Sequence, residues 1–232
     1  MARRRPPAAV FFDVDFTLIY PGPRFQARGY CDTCDKYGVI VDPCTFDRAV
    51  QAAAPILESS GHTYDGAVFE AYTRRIIELM GGRGPGVGAA SREIFLEWAE
   101  HTHFNLYPDV SDALRGVHDL GVRIGLISNT HRCLSSFESH FELDGLISAT
   151  MSSYEHGFMK PHPSIFRAAL ALMDVEASDA AMVGDSLVHD IRGAMDVGMR
   201  GILLARGDAP AALDPAVQVI RSLAELPEIL QS

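Results

Sequence analysis

The sequence predicts an α/β fold, a doubly wound parallel sheet interrupted early by an all-helical insertion, and three observations carry that prediction. Short apolar runs ending on polar residues recur, helical patterns separate the later ones, and between about residues 21 and 105 the alternation stops. Strands alternating with helices imply right-handed crossover units, and such sheets bind ligands beyond the carboxyl ends of their strands.

The first run, AVFFD at 9 to 13, reads as a buried parallel strand delivering a carboxylate at its end. The basic start before it, MARRR, resembles a secretory leader, but Asp13 and Asp15 cut the apolar segment short, so it reads as a loose tail feeding a strand. Further strands are expected at VRIGLISN (122 to 129), LISAT (146 to 150), AAMVGD (180 to 185) and RGILLA (200 to 205). SDALRGVHDLG, HPSIFRAALALMDV and LVHDIRGAMDVGM carry apolar residues at helical spacing between them. The expected organisation is therefore a Rossmann-like α/β core of residues 1–20 and 106–232, with a helical cap at 21–105. Within the cap, CTFDRAVQAAAPILES, YDGAVFEAYTRRIIELM and SREIFLEWAE read as helices. The glycine-rich GGRGPGVG at 81 to 88 reads equally as a hinge or a plain loop.

Composition bounds the function. A chain of 232 residues with 47% hydrophobic and 22% charged residues has the balance of a globular protein. No apolar run approaches the roughly 20 residues that cross a bilayer, so no membrane partner is expected. A net charge of −10 argues against a broad nucleic-acid surface but leaves room for a local anion site. Four cysteines without the spacing of a secreted scaffold favour reduced thiols and a cytoplasmic location. The only lysines, in an arginine-rich chain, are Lys36 and Lys160.

Chemistry gathers at the strand ends. Asp13 and Asp15 lie two apart, where period-two geometry can bring both carboxylates to one side. Crowded carboxylates call for a hard, oxygen-loving dication, and magnesium fits best; alone, the pair is better explained by a capping or solvated turn. GDSLVHD at 184 to 190 follows an apolar strand and opens a helix, placing Asp185 at the strand end and Asp190 just over a helical turn later. A helix cap explains either aspartate singly but not their coincidence with the first pair. Ser128 and Asn129 close their strand, where a hydroxyl and helix-start amides can hold a phosphate oxygen; an N-cap is the plainer alternative. Lys160, in GFMKPHPSIF, offers a compact charge for a phosphoryl group and for offsetting the aspartates, or is a solvated loop lysine.

Taken together, FFDVDFTL, LISN, MKPHPSIF and GDSLVHDIRGAMDVGM resemble the four ordered motifs of the haloacid dehalogenase superfamily of phosphohydrolases. The resemblance implies a magnesium-dependent phosphatase acting on a small phosphorylated metabolite, with the insertion as the helical cap of the subgroup whose cap lies between the first two motifs. It implies Asp13 as nucleophile and Asp15 as acid and base. It further implies Ser128, Asn129 and Lys160 on phosphate, magnesium held by Asp13, the Asp15 carbonyl and Asp185, and Asp190 behind them. Phe16 departs from the glycine common at its position. A phosphomutase or dehalogenase of the same superfamily, or a non-catalytic phosphometabolite-binding protein, are the alternatives; a leaving halide gives Asp15 no acid role.

Weaker signals lie in the insertion. Cys31 and Cys34, with Cys44 nearby, read as small partly buried thiols in preference to half a zinc site, and His101 and His103 as a solvated pair. Arg24, Arg28, Tyr30 and Lys36 read equally as mouth or surface residues, and Lys36 is the sole candidate for a Schiff-base lysine.

Overall fold

The structure, a computed structural model, describes residues 5–58, 61–207 and 213–231. Most of the basic tail, residues 1–4, therefore lies outside the described residues. Among the described residues no helix is long and apolar enough to cross a membrane.

The chain divides into two compact units, one formed by residues up to Tyr20 with those from Leu106 onward, the other by Pro21–Asn105. The described residues include eight strands: β1 (Ala9–Phe12), β2 (Ile19–Pro21), β3 (Phe104–Leu106), β4 (Arg123–Ser128), β5 (Ile147–Ser152), β6 (Ala180–Gly184), β7 (Arg200–Leu204) and β8 (Gln218–Ile220). Six form a wholly parallel sheet in the order β5-β4-β1-β6-β7-β8, while β2 and β3 pair where the chain leaves and rejoins the first unit. Strand order reverses between β1 and β6, so the crevice beyond their carboxyl ends is the expected ligand position of an open α/β sheet.

Alternation along β1 explains the layering. Ala9 and Phe11 face a fully buried cluster with Ile165, Phe166 and Met173 from the helix Pro163–Leu172 and its end. Gly125 on β4 makes room for the Phe11 ring, since a Cβ there would overlap it. Burial of whole side chains of this size stabilises by about 1.5–3 kcal/mol each, which fixes the register that sets the strand ends. The five strands expected from apolar runs are all present; β8, in the weakly apolar VQVI, escaped the sequence reading.

The second unit is helical: Ala27–Lys36, Phe46–Ala53, Pro55–Glu58, Gly66–Leu79 and Gly86–Glu97. Ile76, Ile77 and Ile94 are buried in it, and Phe25 stacks on Trp98 at 4.5 Å. Two local expectations are corrected. The last helix begins at Gly86, so GGRGPGVG is partly helical; a Cβ at Gly86 would strike the Tyr37 carbonyl, making this glycine a close-packing residue. His101 is buried rather than solvated, in the tight turn His101–His103 that leads into Phe104.

Candidate active site

Asp13 follows β1, Ser128 closes β4 and Asp185 follows β6, so three adjacent parallel strands deliver their polar residues to one edge. Asp190 reaches the same edge by a route the sequence did not suggest. Leu187–Arg192 is a wide π-type turn, not the start of a regular α-helix, and the Ile191 N–H reaches back five residues to the Ser186 carbonyl at 3.2 Å. Ser186 N–H then donates to Asp190 Oδ2 at 2.9 Å. One carboxylate oxygen each from Asp13, Asp185 and Asp190 lie within 4.8 Å of one another.

Lys160 sits among them. Its Nζ donates to Asp13 Oδ1 at 2.6 Å, Asp190 Oδ1 at 2.6 Å and the Ile127 carbonyl at 2.9 Å, filling the three donors of an ammonium. Burial alone would lower its pKa, but Asp13 and Asp190 outweigh that and hold it above its ordinary value. Burial pushes Asp13 up well above the usual carboxylate range, Lys160 opposes, and the charges of Asp190 and Asp185 add to the rise. Burial and then Asp190 push Asp185 up to about 7. Three convergent carboxylates offset by one ammonium are short of positive charge, and an all-oxygen donor set of this kind fits a hard divalent cation.

The remaining site residues take different parts. Ser128 Oγ is buried and has no hydrogen-bond partner in the protein, which is uncommon for a buried hydroxyl. No regular helix follows it; residues 129–133 are irregular, so the helix start expected directly after this strand is not formed there. Asn129 turns its side chain on Lys160: Lys160 N–H donates to Asn129 Oδ1 at 2.7 Å, and Asn129 Nδ2 donates to the Lys160 carbonyl at 2.9 Å. Asp15 is not among the convergent carboxylates. It pairs with Arg132, a residue that the sequence reading passed over because nothing distinguishes it from the other arginines.

Outside this edge, Arg24 and Lys36 find partners within their own unit, while Arg28 is exposed. Arg24 pairs with Glu97 at 2.6 Å and Glu93 at 3.2 Å, and Lys36 with Glu93 at 2.6 Å, while Tyr30 is buried. Glu93 also holds Lys36 above its ordinary pKa, the opposite of what a Schiff-base amine requires. None of Cys31, Cys34, Cys44 and Cys133 is joined in a disulfide.

A model of the haloacid dehalogenase-like hydrolase family matches residues 7–198. The chain is 30% identical over 216 residues to a ribulose-1,5-bisphosphate 5-phosphatase of Halopiger xanaduensis, covering 90% of this chain and 89% of that protein. It is 27% identical over 202 residues to a glyceraldehyde 3-phosphate phosphatase of Pyrococcus abyssi, covering 85% of this chain and 81% of that protein. The fold matches the crystal structure of a phosphatase of the same type from Thermococcus onnurineus with a TM-score of 0.66 and 24% identity, over 96% of this chain and 97% of that one.

Proposed function

We propose, from the premise that this chain belongs to the haloacid dehalogenase-like hydrolase family and is a phosphatase, that it hydrolyses a small phosphorylated metabolite through an aspartyl phosphate on Asp13. The observation that carries the reading is the buried Asp13 carboxylate held at a strand end by Lys160, beside two further carboxylates and the unsatisfied Ser128 hydroxyl.

Asp13 attacks phosphorus, the bond from phosphorus to the ester oxygen breaks, and Asp15 gives a proton to the departing oxygen. Water then attacks the aspartyl phosphate, passing a proton to Asp15, and releases phosphate with Asp13 restored. Ser128 and nearby loop amides hold a phosphoryl oxygen. Lys160 keeps Asp13 aimed and opposes the rise that burial imposes on its pKa; because its three donors already have acceptors, a phosphoryl oxygen can accept a hydrogen bond from Lys160 only in exchange for one of them. Asp13, Asp185 and the Asp15 carbonyl would hold magnesium, with Asp190 supporting them. When bound, that ion neutralises charge on the transferring group. The two phosphatases named above act on phosphorylated sugars or trioses, and we assign the same broad substrate class here. The residues from 21 to 105 are assigned the part of a substrate-selecting cap, and the protein is placed in the cytoplasm.

A panel of sugar and triose phosphates assayed with and without magnesium tests this. Phosphate release from one or more of them that stops on chelation and returns with magnesium is expected. Release unaffected by chelation, or halide release from a haloacid in place of phosphate release, would overturn it. Asp13→Asn should lower turnover by roughly 10⁶, the scale for loss of a catalytic nucleophile.

A further inference from the structure

Among the described residues Arg132 has the largest fully buried side chain and is the one buried arginine, with its side chain 0% exposed. Burying a guanidinium is expensive unless a carboxylate answers it, and the answering carboxylate is Asp15. Nη1 and Nη2 each lie 3.2 Å from Oδ1, and Nη1 lies 3.3 Å from Oδ2. The segment that delivers the guanidinium is itself pinned. Arg132 N–H donates to Thr130 Oγ1 at 3.0 Å, and the Thr130 carbonyl accepts from Tyr154 N–H at 3.2 Å, just past β5.

We infer that Arg132 is a positioning residue for Asp15, setting the plane of its carboxylate so that one oxygen meets the ester oxygen and later the water. The inference rests on the acid and base role given to Asp15 above. Three features carry it. A guanidinium fork fixes a carboxylate's orientation as a point charge cannot. The grip is uneven, with two contacts on Oδ1 and one on Oδ2, so Oδ2 is the freer oxygen for proton exchange. The contacts are also longer than the roughly 2.7–2.9 Å of a tight charge-assisted bond, so Asp15 is steered without being locked. The same grip keeps the Asp15 carboxylate apart from the converging Asp13, Asp185 and Asp190.

A double-mutant cycle on the full chain tests this, reading kcat and KM with an alkyl phosphate and with an activated aryl phosphate. Arg132→Gln should lower kcat for the alkyl phosphate by about 10- to 100-fold with little change in KM, the scale of a misplaced catalytic group, and should affect the aryl phosphate less. In an Asp15→Asn background the same substitution should cost less than about twofold, because a residue acting through another loses its effect when that other is gone. Equal losses in both backgrounds, or for both leaving groups, would overturn the inference. Arg132→Lys guards against a folding defect: it keeps the charge without the fork and should retain the alkyl-selective loss at a near wild-type melting temperature. Full alkyl activity in that variant would overturn the inference as well. If Asp15→Asn alone leaves alkyl turnover intact, the reading of Asp15 itself fails and this inference falls with it.

Discussion

Gly184 and Asp190 lie so close that a Cβ on Gly184 would overlap the Asp190 carboxylate. The glycine of the GD pair is therefore a spacer that lets the π-type turn fold Asp190 back against the end of β6. Gly184→Ala should destabilise the protein by about 1–3 kcal/mol, the cost of overpacking a filled site, and should raise the magnesium concentration needed for half-maximal rate. Denaturant unfolding and a magnesium titration of the rate check the two effects. An alanine variant with wild-type metal dependence would show that Asp190 needs no such clearance.

Lys160 neutralises two buried carboxylates at once. Lys160→Met should cost about 3–5 kcal/mol, because it leaves Asp13 and Asp190 without their shared partner. Added magnesium should recover part of that loss, since the cation then supplies the missing positive charge. Lys160→Arg is not expected to substitute: a planar fork cannot meet the three acceptors that surround one tetrahedral nitrogen. Thermal melts with and without magnesium measure both outcomes.

Metal and protons compete for the same carboxylates. In the metal-free protein Asp13 and Asp185 have folded pKa values above their unfolded ones, so the native state binds more protons than the unfolded state across that interval. Their contribution is complete below the ordinary aspartate value of about 3.9 and is lost as pH rises through the folded value, about 7 for Asp185. Stability without metal should therefore decline from about pH 4 to about pH 7, and magnesium should raise the melting temperature more at about pH 8 than at about pH 5. Asp185→Asn should flatten the decline. A magnesium shift independent of pH would contradict the linkage.

What could be read from the chain, and what could not, follows from the range of the interactions. Apolar runs ending on Asp13, Ser128 and Asp185 were legible because burial on both faces of a parallel sheet writes itself into consecutive residues. Lys160 was legible through its rarity. Arg132 was not, because its burial depends on Asp15, 117 residues away. The bond of Asn129 to the Lys160 backbone was not legible, because it spans 31 residues that no local pattern connects. The π-type turn was hidden because Leu187–Arg192 has ordinary helical composition. The helix Ala27–Lys36 was missed because ARGYCDTCDK has few apolar residues to show a period. Phe16 was noticed only for its departure from glycine. It takes the left-handed conformation a glycine would, with φ of 64°, and stays 47% exposed, so the turn between Asp15 and Ile19 forms despite the substitution.

Asp15 separates the two halves of the proposed reaction. An alkoxide leaves poorly unless it is protonated, whereas an electron-poor phenolate leaves without help, so loss of the acid should hurt the two substrates unequally. Asp15→Asn should depress turnover of an alkyl phosphate by about 10² to 10⁴, the usual contribution of a positioned acid, and should spare the first release of phenol from an activated aryl phosphate. The same substitution removes the base that activates water, so the aspartyl phosphate on Asp13 should accumulate after that first release. Stopped-flow absorbance should then show one burst of phenol per protein molecule followed by a slow steady state, and acid quenching should trap phosphate on the protein. The neutral asparagine also loses its ion pair with the buried Arg132 guanidinium, at a cost of about 3–5 kcal/mol, so the rates should be compared well below the variant's own melting temperature. Equal losses for both substrates without a burst would remove Asp15 from the proton-transfer role and return its pairing with Arg132 to a purely structural one.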